Sequence, residues 1–375
     1  MAFEHYVRSG GKLLRLGYTT GTCAAIAAGA AMELLLTGQA PDTGRLMTPK
    51  GIAVEAEIAN PSLEEGRAAC SVQKDGGDDI DATSGAEIRA EVFLREEGLT
   101  IDGGDGVGRV TKRGLDQPPG EAAINSVPRE MIGRQIEKVC KKYGYGGGVH
   151  VIISVPGGED LAQRTFNPNL GIVGGISILG TSGIVEPQSL QALLDSIRTE
   201  MKMHGANGVK SLIVTPGNYG EEFLRAFPGI EGMPIVKCSN FIGDTLDMAG
   251  EYGIEQALVV GHIGKLVKLA GGVMNTHSRN ADCRAEIFTA HAAMAGATAD
   301  TARALMTAAT ADRCIEILQE KGLWGEVAAS LLAEIQDRLD RRAADAYQTG
   351  AIVFSNRFGL IGLTTGAREI LRREP

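Results

Sequence analysis

Residues 257–278 read ALVVGHIGKLVKLAGGVMNTHS. The run Ala257–Val260 is continuously apolar, the pattern of a strand covered on both faces. It stops at Gly261-His262-Ile263-Gly264, and Lys265 and Lys268 then stand three apart, which on a helix places them on one side. Leu266, Leu269 and Ala270 supply the neighbouring apolar stripe, and Gly271-Gly272 ends the turn. A strand entering a glycine-rich turn that carries lysines is a common way to bring backbone N–H groups and cations to an anionic ligand. The plain alternative is a short surface helix with solvated lysines.

The same rhythm precedes this stretch. Strand 211–215 is followed by helix 221–227, strand 234–237 by helix 244–252, and a helix over 189–203 comes before both. Strands alternating with helices predict an α/β domain with a mostly parallel sheet. In such sheets ligands sit at the carboxyl ends of the strands. Here those ends are the loops Thr215–Gly220, Cys238–Asp244 and Gly261–Lys265. The chain after Val327 reads as mostly helical and charged. Segment 351–364 reads as a strand or hairpin whose pairing partner the pattern leaves open.

The first third reads differently. Thr20-Gly-Thr opens an Ala-rich helix to Thr37, with Gly38 placed as its C′ residue. Segment 45–58 alternates around Pro49-Lys50-Gly51 as a hairpin. Residues 86–94 alternate as a half-exposed strand. Two acidic glycine loops, 74–79 and 102–106, flank that strand. A helix follows over 126–143, and strand 149–155 marks the change of rhythm. The chain therefore reads as a two-domain protein: an α+β N-terminal domain over 1–146, with the Ala-rich helix and antiparallel strands, and an α/β domain over 147–375 with a helical C-terminal region.

At 375 residues the chain is long for one core. Its hydrophobic share of 43% and charged share of 22% are ordinary for a globular protein, whereas 51 glycines are about twice the usual share. Those glycines follow no collagen-like period and suit tight turns or backbone close to ligands. A net charge of −9 with no long basic run makes a poor binder of nucleic acid or anionic membrane, and an aromatic share of 5% argues against base-stacking platforms. A small polyanion is still allowed where cations gather locally. No apolar span of 18 residues free of charge occurs, and the first ten residues lack a signal-peptide core. The six cysteines are scattered without a CxxC, which fits reduced thiols in a cytoplasmic protein.

Several chemistries lack their patterns. No GxGxxG follows a strand, no GxSxG is present, and His277, Asp282, Cys283 and His291 match no common zinc spacing, so no bound metal is expected. At Gly17–Thr22, small hydroxyl residues and glycines meet a helix start. Free N–H groups there favour an anion, although one threonine would satisfy the cap. Asp244 suits either a ribose hydroxyl or a helix N-cap.

Four stretches together resemble the cobalt-precorrin-5B (C1)-methyltransferase family of anaerobic cobalamin biosynthesis. They are GYTTGTCAAIAA from Gly17, KDGGDDIDAT from Lys74, SVPGGEDLAQRTFNPNLGIVGGISILGTSGIVEP from Ser154, and GHIGKLVKLAGGVMNTHS from Gly261. They extend from about residue 17 to about residue 280, and the last hundred residues contribute much less. The resemblance implies methyl transfer from S-adenosylmethionine to C1 of a ring-contracted, cobalt-bound tetrapyrrole, giving cobalt-precorrin-6A.

With that reaction in view, Thr215, Gly217, Asn218, Asn240, Asp244 and Gly261 are the expected cofactor contacts. Thr19, Thr20, Gly21, Thr22, Lys265, Lys268, Asn275, Thr276 and Ser278 are the expected contacts to substrate carboxylates. His262 and His277 are the candidate catalytic bases, with Asp244 a further one. In-line positioning can lower the barrier by roughly 7–11 kcal/mol, more than the roughly 10²–10⁴-fold of one general base, so no triad is required. Two rivals remain: a small-molecule kinase using the Thr19–Thr22 loop for ATP phosphates, although that loop has no lysine in P-loop position, and a non-catalytic corrinoid carrier. The expected partner is the small tetrapyrrole, with no nucleic acid and no membrane; assembly into a homo-oligomer stays open.

Overall fold

The structure, a computed structural model, describes residues 3–9, 11–224, 227, 229–230 and 232–372. The chain divides into two compact units, Met1–Leu190 and Gln191–Pro375.

In the first unit, one five-stranded sheet runs in the spatial order 59–64, 67–73, 87–95, 148–154, 99–103. Its neighbours are antiparallel except for the edge pair, where Val149–Ile153 runs parallel to Leu99–Gly103. Helices Thr20–Thr37 and Ser126–Tyr143 pack together, and the first lies on the sheet. Its seam is made of alanines: Ala24, Ala25, Ala27, Ala28 and Ala31 are completely buried, and such small side chains let backbones approach closely. Thr19 caps its start and Gly38, in the left-handed region, closes its end by donating to Leu34 O. This helix is long and apolar enough to cross a membrane by length and composition, but it carries Glu33 and lies mostly inside the unit. The hairpin expected over 45–58 forms between Thr43–Met47 and Ala53–Glu57. The half-exposed strand forms as Glu87–Arg95, with Ile88, Ala90 and Val92 buried.

The strand expected to open the second domain corrects the boundary at 146. Gly148–Ser154 pairs with Glu87–Arg95, burying Val149, Val151 and Ile153 against the first unit's core. The segment 155–185 that follows stays in the first unit too: Gly17-Tyr18 pairs with Ile184-Val185, and Val107 with Ile176. The division therefore falls after Leu190.

In the second unit the order is 235–237, 211–215, 256–262, 348–355, 359–363. The first four strands are parallel and the last is antiparallel. The continuous apolar runs have a simple cause. Leu212, Val214, Ala257, Val259, Ala351 and Val353 enter one core, and Ile213, Leu258, Val260, Ile352 and Phe354 enter another, so alternate side chains of every central strand are buried on opposite faces. Helices Leu190–Ala206, Asn218–Leu224 and Ile242–Glu251 form close to the expected positions, although the 221–227 helix starts earlier and its Arg225 and Ala226 lie outside the described residues. The unassigned segment 351–364 finds its place beside the strand quoted first: Gln348–Ser355 pairs with Gln256–His262 and Gly359–Leu363 turns back along it.

Gly350 in that strand touches the final helix, Thr365–Arg372; a methyl added there would sit 2.3 Å from Ala367 N. Gly350→Ala is therefore expected to lower unfolding free energy by about 1–3 kcal/mol, read from urea denaturation.

Candidate functional site

Every parallel strand of the second unit ends at the same edge, and the loops there carry most of the residues singled out from the sequence. Thr215 ends its strand completely buried, and its hydroxyl donates to Gly217 O (3.1 Å). Gly217 has open space where a side chain would point, and Asn218 beyond it is exposed. Gly220, one turn on, is forced to be small: a methyl would meet Thr215 Oγ1 at 2.0 Å. Gly261 is buried against Leu266 and Pro216.

His262 is the last residue of its strand and the N-cap of helix Ile263–Ala270. Its Nδ1 accepts from Gly264 N (3.0 Å), and its ring meets the Phe354 ring edge-on at 5.8 Å. Burial pushes the His262 imidazole below its ordinary pKa, and Asp312 opposes this. Asp312 accepts from Ser355 Oγ (2.9 Å) at the end of the next strand. Sequence reasoning missed Asp312 and Ser355. The run Gly350–Ser355 carried a signal for a strand end, but Asp312 had none, because it reaches this edge from a helix more than forty residues upstream of Ser355 in the chain.

The two lysines part company. Lys265 donates to Pro216 O (3.2 Å) from a partly buried position. Burial pushes its ammonium down from the ordinary lysine value, the Cys238 position opposes this, and Lys268 adds to it. Two of its three N–H donors have no partner among the described residues. Lys268 is 3% exposed and donates to Thr276 O (3.1 Å) and Ala281 O (2.9 Å), with Asp282 Oδ1 at 3.8 Å. Its expected contact with substrate carboxylates is corrected: the ammonium is spent inside the protein, where it ties down the loop after its own helix.

That loop crosses to the neighbouring one. Thr276 N donates to Asn240 O (2.9 Å), Thr276 Oγ1 to Asn240 Oδ1 (3.4 Å), and Asn275 bridges to Phe241. Asn275 Oδ1 takes His277 N (3.2 Å), and His277 Nδ1 takes Arg279 N (3.1 Å). Thr276 is buried, His277 partly buried and Ser278 exposed. Asp282 is held by Arg284 at 2.5 and 2.9 Å, and His291 by Ser330 at 2.7 Å, so these groups do not converge with His277.

Asp244 lies elsewhere. The helix N-cap is Phe241, and Asp244 sits in the first turn, lining a recess of about 250 Å³ with Gln191, Leu194, Asp195, Arg198, Asp247 and Met248. Thr215, Gly217 and Asn218 do not line it. The structure thus does not bring Asp244 together with the other expected cofactor contacts.

The Thr19–Thr22 turn, in the first unit, is corrected as an anion site. Thr20 Oγ1 donates toward Ser177 O and Leu179 O (3.2 and 3.3 Å) and accepts from Leu179 N (2.9 Å). Thr22 Oγ1 donates to Gly183 O (2.7 Å), Gly21 N to Leu179 O (3.1 Å) and Thr19 N to Gly183 O (3.1 Å). Thr19 Oγ1 accepts from Thr22 N (3.3 Å) and lies 3.3 Å from Thr22 Oγ1; since Thr22 spends its one hydroxyl hydrogen on Gly183, Thr19 is the donor between them. All three hydroxyls are buried and engaged: those of Thr20 and Thr22 stitch the 177–183 segment to the helix start, and that of Thr19 bonds within the turn.

Taken with the fold, these features describe an N-terminal α+β unit and a C-terminal α/β unit whose parallel strands end at one edge, where polar loop residues gather. The family model CbiD matches residues 7–187, and the model CbiD, C-terminal domain, matches residues 275–365. A cobalt-precorrin-5B C(1)-methyltransferase of Ruminiclostridium cellulolyticum is 46% identical, covering 94% of this chain and 92% of that one. Those of a Thermoanaerobacter species and Alkaliphilus metalliredigens are 47% and 40% identical, covering 85% and 98% of this chain and 87% and 97% of theirs. A crystal structure of the cobalamin biosynthesis protein cbiD from Archaeoglobus fulgidus is 29% identical with a TM-score of 0.40, covering 73% of this chain and 87% of that one. This chain belongs to the cobalt-precorrin-5B C(1)-methyltransferase family.

Proposed function

We propose that this protein transfers a methyl group from S-adenosylmethionine to C1 of cobalt-precorrin-5B, giving cobalt-precorrin-6A, in the cytoplasm. Family membership over nearly the whole chain carries this reading. When bound, S-adenosylmethionine supplies an electrophilic methyl group on a cationic sulfur. The residues present fit such a group at the strand-end edge: Gly217 leaves room beside the exposed amide of Asn218, and the Asn240 side chain lies at the neighbouring loop. The tetrapyrrole carries several carboxylates, and Lys265 is a cation at this edge with two donors unpartnered among the described residues.

The work of the protein is then chiefly positioning. Lys265 holds a carboxylate, the loop residues Asn275 and Ser278 border it, and the buried frame beneath them keeps these groups still. Neither the kinase nor the carrier reading is favoured. The first needs phosphate donors at Thr19–Thr22, where the hydroxyls are already engaged. The second is removed if incubation with both substrates adds one methyl to cobalt-precorrin-5B by mass spectrometry; absence of that gain would end the proposal.

Lys265→Ala is expected to raise the KM for cobalt-precorrin-5B about tenfold, the scale of one charge-assisted hydrogen bond, and to flatten its salt dependence. An unchanged KM and salt response would remove Lys265 from the substrate's path.

A further inference from the structure

His262 was a candidate base, and its surroundings assign it a different task. A neutral imidazole has one N–H and one lone pair. Gly264 N–H points at Nδ1 from 3.0 Å, so the lone pair of the neutral ring is at Nδ1 and the proton is at Nε2. The ring has little freedom to exchange these roles. Its Nδ1 is the cap of helix Ile263–Ala270, and its ring stands perpendicular to that of Phe354. Nε2 has no hydrogen-bond partner among the described residues, and it is not among the buried unpaired atoms. The neutral ring therefore offers the site a donor and no acceptor.

The charged group facing His262 from another element is Asp312, on helix Ala311–Glu320, and it is anchored by Ser355 Oγ. Its charge favours the imidazolium, but burial is the larger cause and favours the neutral ring, whose Nδ1 accepts from Gly264.

We infer that His262 serves this site as an Nε2–H hydrogen-bond donor to a carboxylate oxygen of the substrate and not as a proton acceptor, its ring held by Gly264 N–H and Phe354. The inference rests on the methyl-transfer reading for the identity of the ligand, but the tautomer does not depend on it.

The test has two arms. In the first, ¹⁵N-labelled full-length protein without ligand is observed above the titration range of its imidazoles. Long-range ¹H–¹⁵N correlations are expected to show His262 protonated at Nε2. A ring protonated at Nδ1 would overturn the inference whatever the enzyme turns over.

The second arm compares two variants with cobalt-precorrin-5B and S-adenosylmethionine. Asparagine is a good N-cap, so His262→Asn keeps the cap acceptor and removes the distal donor. It is expected to raise KM for cobalt-precorrin-5B about tenfold with kcat within about twofold. Glutamine extends an amide N–H toward the Nε2 position, so His262→Gln is expected to recover most of that KM. Loss of a general base would instead lower kcat by about 10²–10⁴-fold at little change in KM, and that pattern in His262→Asn would overturn the inference, as would wild-type kinetics. If wild-type protein transfers no methyl at all, the functional reading fails while the tautomer measurement still stands or falls alone.

Discussion

Lys268→Met is expected to lower the stability of the second unit by about 2–4 kcal/mol and to release the loop over 276–282. Methionine keeps the length of the stem and loses all three donors. Thr276 O and Ala281 O then lose their partner, and an unpaired buried carbonyl costs about 1–3 kcal/mol. Removing a charge that is 3% exposed offsets part of this, because the ion no longer has to be desolvated. Hydrogen exchange should speed up at amides 276–282, whose contacts to Asn240 depend on the loop being closed. Since Asn275, His277 and Ser278 sit in or beside that loop, KM for the substrate should rise with it. Wild-type exchange rates in the variant would show that Lys268 does not hold the loop.

The second large effect is in the other unit. Lys74 is 3% exposed and pairs with Asp81, whose carboxylate also accepts from Thr83 N (2.8 Å) and Thr83 Oγ1 (2.7 Å). Burial works to raise the Asp81 carboxyl, but the Lys74 charge and the hydrogen bonds from Lys74 and Thr83 outweigh it and hold it below the ordinary aspartate value. Lys74→Met leaves that carboxylate partly buried without its counter-charge, and about 3–5 kcal/mol of stability should be lost near neutral pH.

The sign with pH follows. A carboxyl whose folded pKa is depressed contributes stability above the ordinary aspartate range, and that contribution disappears as pH falls through the folded value. The difference between wild type and Lys74→Met should therefore shrink on the acid side. The double variant Lys74→Met/Asp81→Asn should recover part of the loss, since no charge is then left unpaired. Urea denaturation across pH 3–8 reads all of this; a constant difference over about this range would exclude the pair as its source.

Burial pushes Cys23 and Cys238 up to about 12 and Cys70 and Cys314 up to about 11, which suits inert packed side chains more than redox chemistry.

The parallel sheet was legible in the sequence because strands covered on both faces must be apolar at consecutive positions, as Ala257–Val260 and Leu212–Val214 are. The Ala-rich helix was legible for a related reason: its caps, Thr19 and Gly38, are local features that need no distant partner. The boundary at 146 was not. A strand carries no mark of which sheet it joins, and Gly148–Ser154 joined the earlier one through pairing with residues more than fifty positions away.

The site followed the same division. That Gly261, His262 and Lys265 follow directly on a buried strand is a local reading, and the fold sets them at the end of Gln256–His262. Which of those groups have donors left was decided only in three dimensions. Lys265 and Lys268 differ by one helical turn, yet one is turned to the edge and the other is enclosed by carbonyls contributed from residues 276 and 281. Likewise the threonines of Thr19–Thr22 looked unspent until the 177–183 segment accepted their hydrogens. Composition and periodicity determined which elements form and which face is apolar, because those depend on neighbours a few residues away. Hydrogen-bond satisfaction depends on partners far along the chain, so which donors of Lys265 and Lys268 are engaged is visible only in the tertiary structure.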